Sequence, residues 1–181
     1  MKDLISELET VSEDAQRTFG SLSAAQINWK PSAESWSVGQ CFEHLIKINS
    51  AYFPELESII AGERKQKFWE NYSPLSGFFG NLLVKSLNPK TKRKLKAPKI
   101  ATPSASEISP TIIEDFAAHQ QEVADKIRQT AKLDTKKIIL TSPFIKVITY
   151  SLFDGYRMIV THERRHFQQA ERVTQLENFP R

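Results

Sequence analysis

The sequence predicts an all-α fold, a four-helix bundle with a long crossover connection between its second and third helices. Three observations predict it. Apolar residues recur at three- and four-residue spacing over four long stretches, strand-like segments are nearly lacking, and no internal repeat is present. Of 181 residues 40% are hydrophobic and 25% charged, enough apolar side chains for one sizeable core. The chain is therefore read as a single domain over residues 1–181, with an irregular aromatic and basic segment at about 63–108.

The first helix is expected from Lys2 to Phe19, where Leu4, Leu8, Val11, Ala15 and Phe19 form a stripe and Gly20 supplies a stop. A polar connection follows, in which Ser23 and Gln26 have the spacing of a capping box around one short turn. Ser37 is the expected N-cap of the second helix. Its stripe is Val38, Cys41, Leu45, Ile48 and Tyr52, and Gly62 lies just past its end. Pro54 falls inside this pattern and must kink or split it, because proline lacks the amide donor and clashes with the preceding turn.

From Glu63 to Ile108 only a short helix near Leu75–Leu87 is expected, with loop elsewhere. Ser109-Pro110 reads as an N-cap followed by proline at the first helical position. The third helix then runs to about Lys132, burying Ile112, Ile113, Phe116, Val123 and Ile127. Ile138–Tyr150 is apolar and β-branched, either a short strand or an extended lead. The fourth helix covers at least Ser151–Gln175.

Composition narrows the functional classes. One cysteine, Cys41, excludes a disulfide framework and a Cys-only zinc site. No run approaches the ~20 apolar residues of a membrane span, so no membrane role is expected. Met1–Leu22 carries Asp3, Glu7, Glu9, Glu13 and Asp14, unlike a secretory signal, and a cytoplasmic location is the expectation. The net charge of +4 is local in origin. Seven basic residues (Lys85, Lys90, Lys92, Arg93, Lys94, Lys96, Lys99) lie between Asn71 and Ser106 without an acid, and the rest of the chain holds 18 basic against 21 acidic residues. No stacking aromatics alternate with these lysines and no nucleic-acid motif is present, so this run reads as a solvated loop. Phe68, Trp69, Phe78 and Phe79 read as a cover on one end of the core, with a partner or dimer patch as the alternative. Trp29 and Trp36 read as pins holding the connection to the bundle end, with a role in lining the pocket as the alternative.

Four histidines are present: His44, His119, His162 and His166. The last two lie one turn apart in Thr161-His162-Glu163-Arg164-Arg165-His166, at about −80° and −40° on a wheel with Leu152 at zero, beside the apolar arc. Two such imidazoles can reach one ion, or they can be unrelated packed or solvated residues. The string also satisfies H-E-x-x-H. The metzincin Gly and third His are absent, however, with Gln169 and Arg172 in their places, and a peptidase is discounted. Glu163 then reads as a surface group or an outer-shell partner for an arginine. Further ligand candidates are His44, which flanks the second helix's stripe and equally suits an ordinary boundary histidine, and Cys41, more readily a small apolar filler. His119 reads as exposed or structural.

Asn28-Trp29-Lys30-Pro31, then Trp36-Ser37-Val38-Gly39-Gln40 leading into His44-Leu45, then His162-Glu163-Arg164-Arg165-His166 with Gln169, Glu171, Arg172 and Val173 resemble the DinB-like (YfiT-like) family of four-helix-bundle proteins. The resemblance spans about residues 1–62 and 109–173. It implies a divalent metal held by His44, His162 and His166, with water completing the shell, and a homodimer. Zinc or nickel is implied foremost, and the ligand type also admits iron or manganese. Relatives include metal-dependent transferases of low-molecular-weight thiols such as bacillithiol, and mycothiol-dependent isomerases. A thiol S-transferase or a hydrolase acting on a small-molecule substrate is the function so implied, with Glu43, Glu163 and Gln40 as outer-shell groups. The alternative is a non-catalytic bundle serving as a binding or interaction protein.

Overall fold

The computed structural model describes residues 1–71, 73, 75–91, 97–104 and 107–181. Of the residues singled out above, Lys92, Arg93, Lys94 and Lys96 of the basic run lie outside the described residues. The elements, in order, are α1 (Lys2–Phe19), α2 (Ala24–Asn28), α3 (Val38–Ser50), α4 (Phe53–Ile60), α5 (Phe68–Asn71), α6 (Ser76–Leu87), a 3-10 turn (Lys99–Ala101), α7 (Ile112–Thr130), β1 (Ile139–Thr141), β2 (Thr149–Ser151) and α8 (Leu152–Thr174).

Local chemistry sets most of these boundaries. Ser23 and Ser37 both form complete capping boxes, with Gln26 and Gln40 returning the bond to the cap amide. Ser151 caps α8 by accepting from the Asp154 amide. The second predicted helix splits rather than kinks. α3 stops at Ser50, and α4 restarts with Pro54 in its first turn, where the missing amide costs nothing. Gly62 ends α4 at φ 71°, the left-handed region that favours glycine.

Other boundaries depart from expectation. The N-cap position of α7 is Thr111 rather than Ser109, and its side chain makes no capping bond. Ser109 and Pro110 form the preceding turn, closed by the Ile112 amide on the Ser109 carbonyl. Ile138–Tyr150 becomes a two-stranded antiparallel ribbon, pairing Ile139 with Ser151 and Thr141 with Thr149. Leu140 and Tyr150 face the core from it. The short helix α5 was not expected. Phe68, Trp69 and Phe78 do not cover the core, being 76%, 56% and 62% exposed.

The four long helices α1, α3, α7 and α8 make the bundle, each packing against two of the others in the cyclic order α1–α7–α3–α8. Direction follows from side-chain pairs. Phe42 meets Phe116, and further on Glu57 of α4 pairs with Lys126, so α3–α4 and α7 progress in the same sense. Against α8 the order reverses: His44 meets His166 while Asn49 meets Glu163. The core has two continuous parts. One joins Phe19, Phe42, Leu45, Phe116 and Val173, and the other joins Leu8, Leu56, Ile127, Tyr150 and Ile159. No helix among the described residues is long and apolar enough to cross a membrane.

α6 lies on α8 through a close approach at Gly80. A Cβ there would stand 2.5 Å from Asp154 Oδ2 and 2.9 Å from Asp154 Cβ. Asp154 is held by Ser151 Oγ and Arg157 Nη1, each at 2.8 Å, so its side chain cannot simply turn away. Gly80→Ala is expected to lower stability by about 1–2 kcal/mol, the ~1–3 kcal/mol of overpacking less the ~0.5–1 kcal/mol helical preference of alanine. Urea unfolding checks this, and an unchanged midpoint would mean that α6 slides freely.

Candidate metal centre

α8 brings His162 and His166 one turn apart on its inner face, and α3 brings His44 from the opposite wall. All three are buried, at 8%, 7% and 2% exposure. The Nε2 atoms of His162 and His166 stand 3.0 Å apart. The His44 ring centroid lies 5.1 Å from that of His162 and 4.7 Å from that of His166. One ligand atom from each ring falls within 4.8 Å of the others. This separation is close enough for small rotamer shifts to bring all three nitrogens to one ion at Zn–N distances near ~2.0–2.1 Å.

The electrostatics favour neutral rings. Burial pushes all three imidazoles below the ordinary histidine range, His162 well below it and His166 to about 3, and their mutual proximity adds to the fall for His162 and His166. Neutral rings keep a lone pair for a cation. His44 is oriented for this. Its Nδ1–H donates to the Ala101 carbonyl at 2.6 Å, leaving Nε2 for the cluster. The indole of Trp36 closes the site, stacked on His166 at 5.5 Å and 20° and tilted over His44 at 4.9 Å.

Ala101 belongs to a strap laid across α3. Ser104 donates its amide and hydroxyl to the Glu43 carboxylate, at 2.6 and 2.5 Å. Lys47 reaches Thr102 O and Ser104 Oγ, and Gln40 Nε2 donates to Ser104 O. Burial raises the Glu43 carboxyl, but the bonds from Ser104 and Lys47 outweigh this and hold it below the usual range. Glu43 and Gln40 therefore hold the strap whose Ala101 carbonyl fixes His44.

Glu163 is neither at the surface nor on an arginine. It is fully buried, with Oε1 accepting from Asn49 Nδ2 at 2.8 Å, while Arg164 pairs with Glu7. Burial pushes its carboxyl up to about 8, against the pull of the Gln120 and Asn49 amides. His119 is buried, not exposed, and stacks on Phe53 at 5.1 Å and 21°. It takes a structural place in the α4–α7 contact, apart from the triad. Trp29 and Trp36 both pack against the core, Trp29 edge-on to Phe179 and Trp36 over the triad. Only the place of Trp36 eight residues before His44, just ahead of the helix, hints at this in the sequence.

Cys41 is fully buried and its thiol is pushed up to about 12 by burial, so it carries no thiolate at neutral pH. It packs with Val38, Phe42 and Leu45 as an apolar filler. A disulfide reagent is expected to leave Cys41 unlabelled in the folded protein and to label it fully in denaturant. Rapid labelling of the native chain would contradict its burial.

Two surface cavities, of about 330 and about 450 Å³, contain none of the three histidines. The first lies between α6 and the start of α8, and the second between α4, α5 and the β-ribbon. The triad is instead an enclosed donor set of three neutral nitrogens, covered by one indole and one strap.

Among protein families, the model of the DinB superfamily matches residues 7–170. Compared with curated proteins and with solved structures, the chain matches none.

Proposed function

The chain belongs to the DinB superfamily, and on that premise we propose that it is a divalent-metal protein whose ion is held by His44, His162 and His166 and serves chemistry on a small molecule. The observation that carries this is the convergence of three buried imidazoles from two helices. The donor set fits such an ion: borderline nitrogen ligands suit zinc or nickel, and also iron or manganese. The three rings carry no charge of their own, so the ion's charge is undiminished.

Such an ion supplies Lewis acidity, which makes a thiol or a water a better nucleophile near neutral pH. The chain's own residues do the rest. Ala101 holds the His44 tautomer through its carbonyl, and Trp36 and the strap exclude bulk water from the ring edges. The preferred reaction is transfer of a low-molecular-weight thiol to an electrophilic carbon. The sulfur loses its proton and forms the new C–S bond, and the leaving group departs with the carbon's bonding pair. Hydrolysis of a small molecule is the same reaction with water as the nucleophile. The enclosure of the rings limits the substrate to a small molecule, and no protein nucleophile is needed: Cys41 carries no thiolate.

The test loads the protein with zinc and follows consumption of a small thiol in the presence of an alkyl or aryl halide. Turnover that disappears in His44→Ala supports the transferase reading. Ester hydrolysis without thiol consumption supports the hydrolase. Stoichiometric zinc with neither activity leaves a metal-binding protein without catalysis and overturns both.

A further inference from the structure

The His166 ring has an unfinished side. Its Nε2 faces His162, but its Nδ1 is buried and has no hydrogen-bond partner among the described residues. His44 shows the finished arrangement, with Nδ1–H on a carbonyl. A histidine that gives Nε2 to a cation must carry its proton on Nδ1, and a buried N–H without an acceptor costs about 1–3 kcal/mol.

The polar groups acting on this ring are few. Among the described residues, His44, His162, Arg165, Arg172 and Gln169 bear on it. The two arginines are donors only, as is the indole of Trp36. His44 spends its Nδ1 on Ala101 and presents its other nitrogen to the cluster. Of these side chains, Gln169 brings a carboxamide oxygen able to accept the proton. It lies one turn beyond His166 on α8, half-buried, at a spacing where helical side chains meet.

We propose that Gln169 is a positioning residue for the metal centre: its Oε1 accepts the His166 Nδ1–H and thereby sets the tautomer and ring plane that present Nε2 to the ion. This rests on the metal reading above. A rotation of the Gln169 side chain would be needed to make this bond, since Nδ1 makes none among the described residues as it stands. The Ala101 carbonyl and the Gln169 carboxamide then play one role on two ligands, one supplied by the strap and one by α8 itself.

The experiment measures zinc affinity by chelator competition for the wild type, Gln169→Ala and Gln169→Glu, alongside nitrogen-edited NMR of the zinc-loaded wild type. Gln169→Ala is expected to bind zinc about 10–100-fold more weakly, as for the loss of other outer-shell partners. Gln169→Glu keeps an acceptor oxygen and is expected to restore wild-type affinity, which a merely structural role would not require. The zinc-loaded wild type should show a slowly exchanging Nδ1–H on His166. Wild-type zinc binding with Gln169→Ala within two-fold of it, or with Gln169→Glu as weak as Gln169→Ala, overturns the proposal and leaves the metal reading standing. A wild type that binds no zinc overturns the metal reading itself.

Discussion

His162→Ala is expected to abolish divalent-ion binding at micromolar metal, with a loss of affinity above the ~100-fold that an outer-shell partner alone can command. The ring it removes stands 5.1 Å from His44 and 4.5 Å from His166 by ring centroids. Two imidazoles on opposite walls would remain, with no carboxylate of the triad to replace the third. The fold should persist, because three neutral rings held close without a cation contribute little to apo stability. His119→Ala is the matched control. It removes another buried histidine, one stacked on Phe53 and outside the triad, and should leave metal affinity unchanged.

The same reasoning fixes the pH dependence. Protons compete with the ion only where the folded protein's imidazoles titrate, and burial moves that range downward for all three rings. Affinity should therefore hold through neutral pH and fall only as pH drops below the ordinary histidine range near 6.5. In the apo protein these groups bind fewer protons folded than unfolded, so their contribution is intact above 6.5 and is lost as pH falls toward the folded values. A metal titration at several pH values, by calorimetry, checks both halves.

Phe42→Ala is expected to cost about 3–5 kcal/mol of stability, the range for emptying a large aromatic site in a core. Phe42 is fully buried. Its ring packs edge-on against Phe19 of α1 at 5.4 Å and against Phe116 of α7 at 4.9 Å, so one side chain ties three of the four long helices. The cavity cannot collapse easily, because Gly39, one turn earlier, already stands against Ile27 and Ile108 with no slack. Phe78→Ala is the contrast. That ring is 62% exposed, and its removal should change stability by less than ~0.5 kcal/mol. Urea unfolding of both variants makes the comparison, and a Phe42→Ala loss below ~1 kcal/mol would show that this contact is not central to the bundle.

What could be read from the sequence was local. The stripes of α1, α7 and α8 and the Ser23–Gln26 and Ser37–Gln40 boxes are patterns within a few residues, and each formed. The pairing of β1 with β2 depends on both segments at once, so β-branched residues alone could not separate a strand from an extended lead. Pro54 announced a break without its side, because proline is tolerated in a first turn and the restart shifts to meet it. At the triad, the one-turn spacing of His162 and His166 was visible. The approach of His44, the cover of Trp36 and the grip of Ala101 depend on tertiary placement of distant segments. Glu163 was misplaced for a related reason: a glutamate beside two arginines looks solvated until Asn49 and Gln120 from other helices enclose it.

The most direct test is X-ray absorption on protein loaded with one equivalent of zinc, after purification without a metal-binding tag. A first shell containing three imidazole nitrogens near ~2.0–2.1 Å, dropping to two in His162→Ala, is the expected result. A protein that takes up no stoichiometric zinc, or a shell containing sulfur or dominated by carboxylate oxygen, would contradict the three-histidine centre.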